Sequence, residues 1–156
     1  QIRKNVYVEN RGGTERKRGG RLAALLTAAV FLLAAVPPAR IISTATIELT
    51  SLENGKLGIL IETLAEEECE EIVNIAVLEC RQKDGSWKEV ARYEYRAEKE
   101  DFPTEDLSGM TNTAVSERQK IGRYYRIRGI HCAWAGGQSQ IVSSRTEPLQ
   151  ASRCSG

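Results

Sequence analysis

The chain has 156 residues, which is enough for one ordinary domain and too few for two large ones. Its net charge of +1 conceals an uneven distribution, because residues 1–45 carry a net +6 and residues 46–156 a net −5. A basic head on an acidic body argues against a nucleic-acid partner and indicates a targeting segment. No phosphate-binding glycine loop, nucleophile elbow or metalloprotease motif is present, so neither an enzyme nor a cofactor is expected.

The N-terminal part has the order of a secretory signal. Residues 1–21 are a basic extension without apolar periodicity, and an uncharged, mostly apolar run follows from Leu22 to Val36. This order predicts a signal peptide whose apolar run and cleavage region occupy residues 22–45. The preferred cleavage lies before Thr46, and cleavage after Ala39 is the alternative. The run is shorter than a bilayer-spanning helix, although an uncleaved membrane anchor stays open.

Residues 46–150 read as a β-sandwich domain, followed by a tail at residues 151–156. Alternating apolar and polar residues are separated by glycine and asparagine turns, which is the pattern of strands and hairpins. Seven strands at this short spacing predict an all-β sandwich. In chain order we expect them at Ala45–Thr50, Lys56–Glu62, Ile72–Gln82, Trp87–Tyr95, Met110–Val115, Gly122–Trp134 and Gln138–Thr146.

The third of these strands lies in a stretch with two interpretations, since residues 64–82 also have good helix propensity. A helix from Ile72 would need an apolar residue at position 79, and Glu79 interrupts that stripe. The β-branched residues and the turn at Lys83–Gly85 favour a strand. The spacing of aromatic and apolar residues in the fourth strand suggests a bulge.

One segment carries a resemblance to a known fold. Gly122–Gly129 reads Gly-Arg-Tyr-Tyr-Arg-Ile-Arg-Gly and Gly136–Ser139 reads Gly-Gly-Gln-Ser, and together they resemble the last two strands of a fibronectin type III-like domain. Over Thr46–Thr146 the chain is similar to a family of small exported bacterial domains of unknown function. The resemblance implies an immunoglobulin- or fibronectin III-like sandwich with Tyr125 as its corner tyrosine. It also implies inward-facing Ile127, Gly129 and His131, and it supplies no activity.

Four cysteines follow the signal segment: Cys69, Cys80, Cys132 and Cys154. An even number in an exported domain suits two disulfides, and no zinc-ligand spacing is present, so no metal is expected. In the fold that the resemblance implies, the start of the third strand lies beside the end of the sixth. The resemblance therefore implies the pairs Cys69–Cys132 and Cys80–Cys154, with free thiols remaining open in a reducing compartment.

The single histidine is the first candidate for chemistry. To act as a general base in nucleophilic catalysis, His131 would need a nucleophile beside it. The neighbouring Cys132 would point to the opposite face of the strand from His131. A packed or hydrogen-bonded core histidine is the better interpretation. The acidic runs at residues 66–71 and 101–106 lack the spacing of a calcium loop and read as solvated charge.

Two groups of side chains are candidates for binding. Arg126 and Arg128 alternate with apolar residues and could form a basic stripe that meets an acidic partner, although cross-strand pairing with glutamates of the third strand is simpler. A sugar-stacking platform would need several exposed aromatic rings, whereas most aromatics of a sandwich fill its core. The candidates for that platform are Trp87, Trp134, Tyr93 and Tyr95.

These observations predict a secreted or surface-displayed, non-catalytic module that binds a protein or a glycan. Contact with a membrane is expected only through the N-terminal segment if it stays uncleaved, and the chain would then be a structural component of the cell envelope. A small hydrolase or inhibitor is the remaining alternative, and it requires His131 to be exposed in a cleft beside a carboxylate.

Overall fold

The structure is a computed structural model that describes residues 40–152. The predicted signal segment before Arg40 and the end of the tail, including Cys154, lie outside the described residues. No helix within residues 40–152 has the length and apolar character needed to cross a membrane. The described chain is almost entirely β-structure, with 3-10 turns at Glu53–Gly55 and Lys99–Asp101.

Eight strands are present where seven were predicted, because a two-residue strand follows Pro148. In chain order they are β1 (Ile42–Ser51), β2 (Leu57–Ala65), β3 (Glu71–Arg81), β4 (Trp87–Glu98), β5 (Gly109–Ser116), β6 (Tyr124–Ala135), β7 (Gln138–Arg145) and β8 (Leu149–Gln150).

The strands form two antiparallel sheets, which confirms the predicted all-β sandwich. Sheet A has the order β1-β2-β5, and sheet B has the order β4-β3-β6-β7, with β8 pairing with the start of β6. The strands at the open edges are therefore β1 and β5 in sheet A, and β4 and β7 in sheet B.

Glycine turns set the hairpins that the sequence predicts. Asn54 and Gly55 have φ angles of 59° and 74° in the turn from β1 to β2, and a side chain at Gly55 would collide with the carbonyl oxygen of Gln119. Gly136 and Gly137 also have positive φ, which fits the two-residue turn that joins β6 to β7. These turns fix the register of the strands on either side.

The segment predicted as the third strand is a strand, β3, and not a helix. β3 pairs with β4 on one side and with β6 on the other, so it lies in the interior of sheet B. The bulge suggested in the fourth strand is also present: Leu78 faces Ala91 and Glu79 faces Glu89, which leaves Val90 as the extra residue.

The folded domain begins earlier than the predicted boundary at Thr46. β1 starts at Ile42, and the side chains of Ile41 and Ile42 are buried in the core. Cleavage before Thr46 would remove these residues and the first part of β1. Cleavage after Ala39, the alternative site, would leave the strand whole.

Two apolar clusters fill the space between the sheets. One is built around Ile42, Ile72 and Ala133 at one end of the sandwich, and the other around Ile61, Leu78 and Ile127 at the opposite end. Tyr125 and Ile127 lie in the second cluster and face inward, as the resemblance implies.

Candidate functional site

The outer face of sheet B contains the binding candidates Trp87, Trp134, Arg126 and Arg128. Alternation along β3 and β6 directs Glu79, Arg126 and Arg128 outward, whereas Leu78, Tyr125 and Ile127 face the core. The two ends of the strands on this face differ in the chemistry of their side chains. The end near Arg126 is charged, whereas at the other end apolar side chains around Trp134 lie beside the ion pair of Arg96 and Glu71.

The charged end is paired within the chain. The Arg126 guanidinium lies 2.7 Å from a carboxylate oxygen of Glu79 and stacks over the Trp87 ring at 4.1 Å from its centre. Arg128 approaches the other oxygen of Glu79 at 3.7 Å. Cross-strand pairing with a glutamate of the third strand is therefore confirmed, and the arginines do not form a free basic stripe.

The aromatic candidates are not assembled into one platform. Trp87 lies opposite Arg81 and Trp134 lies opposite Glu71, at the two ends of β3. At a rise of about 3.3 Å per residue, the two indoles are separated by roughly 30 Å along the sheet. The partly buried Tyr93 and Tyr95 lie on the inner face and pack against the core, so they add nothing to an outer platform.

The apolar end presents a contiguous patch, hereafter the apolar patch. Ile130, Cys132 and Trp134 lie on its central strand β6, with β3 on one side and β7 on the other. Ile141 of β7 lies opposite Cys132 and is 66% exposed, the most exposed large apolar side chain among the described residues. The patch comprises the exposed Ile141, the partly buried Ile75, Ile130 and Trp134, and the buried Val73 and Cys132 beneath them.

The strand that contains Ile141 is also an open edge of sheet B. Among residues 40–152, β7 pairs with β6 alone. The amide of Thr146 donates to the carbonyl of Ile127, directly opposite, and this bond sets the alternation of the antiparallel ladder. In this ladder the N–H and C=O groups of the even-numbered residues of β7 point toward β6. Those of the odd-numbered residues Ser139, Ile141 and Ser143 point outward.

A second candidate lies inside the sandwich, where polar side chains separate the two apolar clusters. We call these side chains the polar layer. They come from five strands of both sheets, and four of the five are buried, with Ser144 partly buried on the inner side of β7. The members are Thr63, Asn74, Asn112, His131 and Ser144.

The donor and the acceptor of each hydrogen bond in the polar layer can be assigned from the Asn74 side chain. The Asn74 amide donates to the carbonyl of Met110 at 3.2 Å and to Oδ1 of Asn112 at 3.0 Å. The Oδ1 atom of Asn74 therefore accepts the hydroxyl proton of Thr63 at 2.5 Å. Because Thr63 donates its single hydroxyl proton to Asn74, its oxygen can only accept a hydrogen bond from His131. The donor in the 2.9 Å contact between them is therefore Nδ1 of His131.

This arrangement fixes the histidine tautomer. With Nδ1 protonated, Nε2 of the neutral ring accepts the hydroxyl proton of Ser144 at 2.7 Å. Burial lowers the pKa of His131 below its ordinary value, because the charged ring would lose its hydration. Gly129 lies beside this bond, and a Cβ there would overlap the Ser144 hydroxyl and approach Nε2 to 3.0 Å.

The polar layer does not meet the condition set for a hydrolase. His131 is fully buried, and its hydrogen-bond partners are the hydroxyls of Thr63 and Ser144 and not a carboxylate. The core-histidine interpretation is confirmed. Ser144 was missed from the sequence, although the Gly136–Gly137 turn offers a signal, because a two-residue hairpin places Ser144 opposite Gly129.

The predicted Cys69–Cys132 disulfide is not formed, because both residues are free thiols in the structure. The strand ends lie together as expected, since Glu71 pairs with Trp134. However, Cys69 packs in the core, whereas Cys132 lies on the outer face of sheet B, so the sheet separates them. Cys80 is buried, and its predicted bond to Cys154 stays a prediction.

Within residues 40–152, no group of three or more His, Cys, Asp or Glu side chains is placed to hold a metal ion. No protein-family model matches the sequence, and no curated protein matches it either.

Proposed function

We propose that this chain is a secreted or surface-displayed, non-catalytic module of fibronectin III-like fold that binds a partner protein through the apolar patch. Export is supported by the signal-like order of residues 1–39. The early start of β1 supports cleavage after Ala39, since the domain then retains Ile41 and Ile42.

The strand order supports the immunoglobulin-type part of the proposal. The first, second and fifth strands share one sheet, and the third, sixth and seventh share the other, as strands A, B, E and C, F, G do in that architecture. β4 joins β3 and not β5, which departs from the constant-type immunoglobulin order. The Tyr125 hydroxyl oxygen accepts a hydrogen bond of 2.9 Å from the backbone amide of Lys120. This geometry is like that of a corner tyrosine.

The observation that carries the binding proposal is the exposure of Ile141 beside Ile130 and Trp134. A single exposed apolar side chain is ordinary, whereas a contiguous apolar patch with an aromatic ring is typical of an interaction surface. The charged end of the same face uses Arg126 internally, so it offers less to a ligand.

A partner protein is favoured over a glycan for a geometric reason. Sugar stacking needs aromatic rings within one sugar-sized site, and Trp87 and Trp134 lie at opposite ends of the sheet. The polar layer supports a non-catalytic role, because its histidine is sealed in the core.

Site-specific photo-cross-linking tests the proposal. A benzoylphenylalanine placed at Ile141 in the full chain, in cells that produce it, should yield a discrete protein adduct on irradiation. The matched control is the same group at Val115, which is 50% exposed on the outer face of sheet A. No adduct at position 141, or equal adducts at both positions, would overturn the proposal.

A further inference from the structure

We infer that the partner on β7 is a second copy of this chain, which pairs antiparallel with β7 so that two copies of sheet B form one continuous sheet. The inference rests on the proposed function, because Ile141 belongs to the apolar patch. It is carried by three observations: how the edge strands are protected, where the β7 backbone points, and which residues a twofold axis would place together.

Edge strands are normally protected against pairing with other chains. β4 has six charged side chains among its twelve residues. The carbonyl of Thr113 in β5 accepts the Tyr95 hydroxyl at 3.3 Å. Near the start of β1, Arg40 donates to the carbonyls of Ile42 and Ser43. Three of the four edges thus have charges or side-chain hydrogen bonds that obstruct a further strand.

β7 differs from the other described edges because no side chain bonds to its outward backbone groups and it has few charges. Its only charged residue is Arg145, at its last position. Its outward backbone groups at Ser139, Ile141 and Ser143 accept or donate no side-chain hydrogen bond within residues 40–152. The exposed Ile141 lies at the middle of this run. An uncharged edge with an apolar centre is suited to strand addition.

The sequence of β7 is self-complementary about Ile141. A twofold axis through this residue places Ile141 opposite Ile141 of the second copy, and Ser139 opposite Ser143. All three odd-numbered positions have outward backbone groups, so these are hydrogen-bonded pairs. Apolar pairs and serine pairs are favourable across strands. Arg145 falls opposite Gly137 and not opposite another arginine.

Sedimentation velocity of the full chain over a wide concentration range, under reducing conditions, tests the inference. The reducing conditions prevent covalent dimers that a disulfide between the Cys132 residues of two copies would form. Ser143→Pro deletes an outward amide and leaves pairing with β6 intact, because proline is tolerated on an edge with its nitrogen facing solvent. Ile141→Lys places a charge at the centre of the interface. Val115→Lys is the matched control on sheet A.

We expect the unmodified chain and the Val115→Lys variant to show reversible dimerisation, and the two β7 variants to weaken it at least about tenfold, with circular dichroism unchanged. A chain that stays monomeric at every concentration would overturn the inference, as would a dimer that both β7 variants leave unaffected. A monomer that still gives a photo-adduct with a different protein at position 141 removes the second copy and leaves the proposed function standing. A monomer that gives no adduct at position 141 overturns both the inference and the proposed function.

Discussion

Ser144 of β7 and His131 of β6 share a hydrogen bond of 2.7 Å across the inner side of sheet B. The bond begins a chain of donors that runs from Ser144 through His131 and Thr63 to Asn74, whose amide donates to Asn112 of sheet A. Each group is paired, so the polar layer links the two sheets without leaving these polar atoms unsatisfied. Satisfied networks of this kind favour one relative position of the packed elements.

The first prediction concerns pH. The unfolded chain protonates His131 near the ordinary pKa of about 6.5, whereas burial lowers the pKa of His131 in the folded chain. Folding is therefore most stable above that pH and loses stability as the pH falls below it. We expect the free energy of unfolding to decrease by up to about 1.4 kcal/mol per pH unit in this range.

Urea unfolding between pH 7.5 and about pH 5 measures this effect. The chain has a single histidine, so no other histidine contributes to the slope. His131→Gln is the control, and it should flatten the dependence even though it lowers stability overall. Titration of the folded His131 ring by NMR with an ordinary midpoint near pH 6.5 would contradict the buried, neutral state.

The second prediction concerns Gly129. Gly129→Ala should lower the free energy of unfolding by about 1–3 kcal/mol, because the added methyl group occupies the space of the Ser144 hydroxyl. Adding Ser144→Gly should recover part of the loss. The matched control is Gly58→Ala in β2, where a Cβ would meet Leu52 at an ordinary 3.4 Å. Equal effects of the two alanine substitutions would contradict the steric argument.

The third prediction concerns the thiols. Burial is the main cause that raises the pKa of Cys69 and of Cys132, and nearby glutamates add to the shift. Both thiols should therefore react slowly with iodoacetamide in the folded chain and fast after denaturation. Mass spectrometry of tryptic peptides measures this directly. A peptide pair linked through Cys69 and Cys132 would contradict the separation of these residues by sheet B.

The fourth prediction concerns the N-terminal boundary. A chain beginning at Arg40 should be more stable than one beginning at Thr46, because the shorter chain lacks Ile41 and Ile42. Full burial of an isoleucine side chain contributes about 1.5–3 kcal/mol, so we expect a loss of at least about 3 kcal/mol in urea unfolding. Equal stability of the two chains would contradict the assignment of residues 42–45 to the domain.

Much of the fold follows from local sequence. Period-two alternation identifies strands such as β2 and β6, and the glycines at 136 and 137 set the register of the hairpin between β6 and β7. The start of β1 was missed because residues 41–45 also fit a cleavage region, and local composition does not distinguish a buried strand from a processed segment. β8 was missed because two residues are too few to show a period.

Less of the candidate site could be predicted. The resemblance implies an inward-facing His131, and strand alternation then directs Cys132 outward, but neither gives the partners of the histidine nor the position of Cys69. The burial of Cys69 depends on packing between the two sheets, and it accounts for the failure of the Cys69–Cys132 pair. The open edge at Ile141 depends on the complete strand order, which is a property of distant pairings.

Residue-resolved amide exchange of β7, followed by NMR at low and high concentrations of the chain, tests most directly whether β7 is an open binding edge. In dilute solution we expect fast exchange at Ser139, Ile141 and Ser143 and slow exchange at Val142 and Ser144, whose amides point toward β6. The three fast amides should gain protection as the concentration rises. Slow exchange of these amides at every dilution would show that the edge is already occupied within one chain, and would contradict the account.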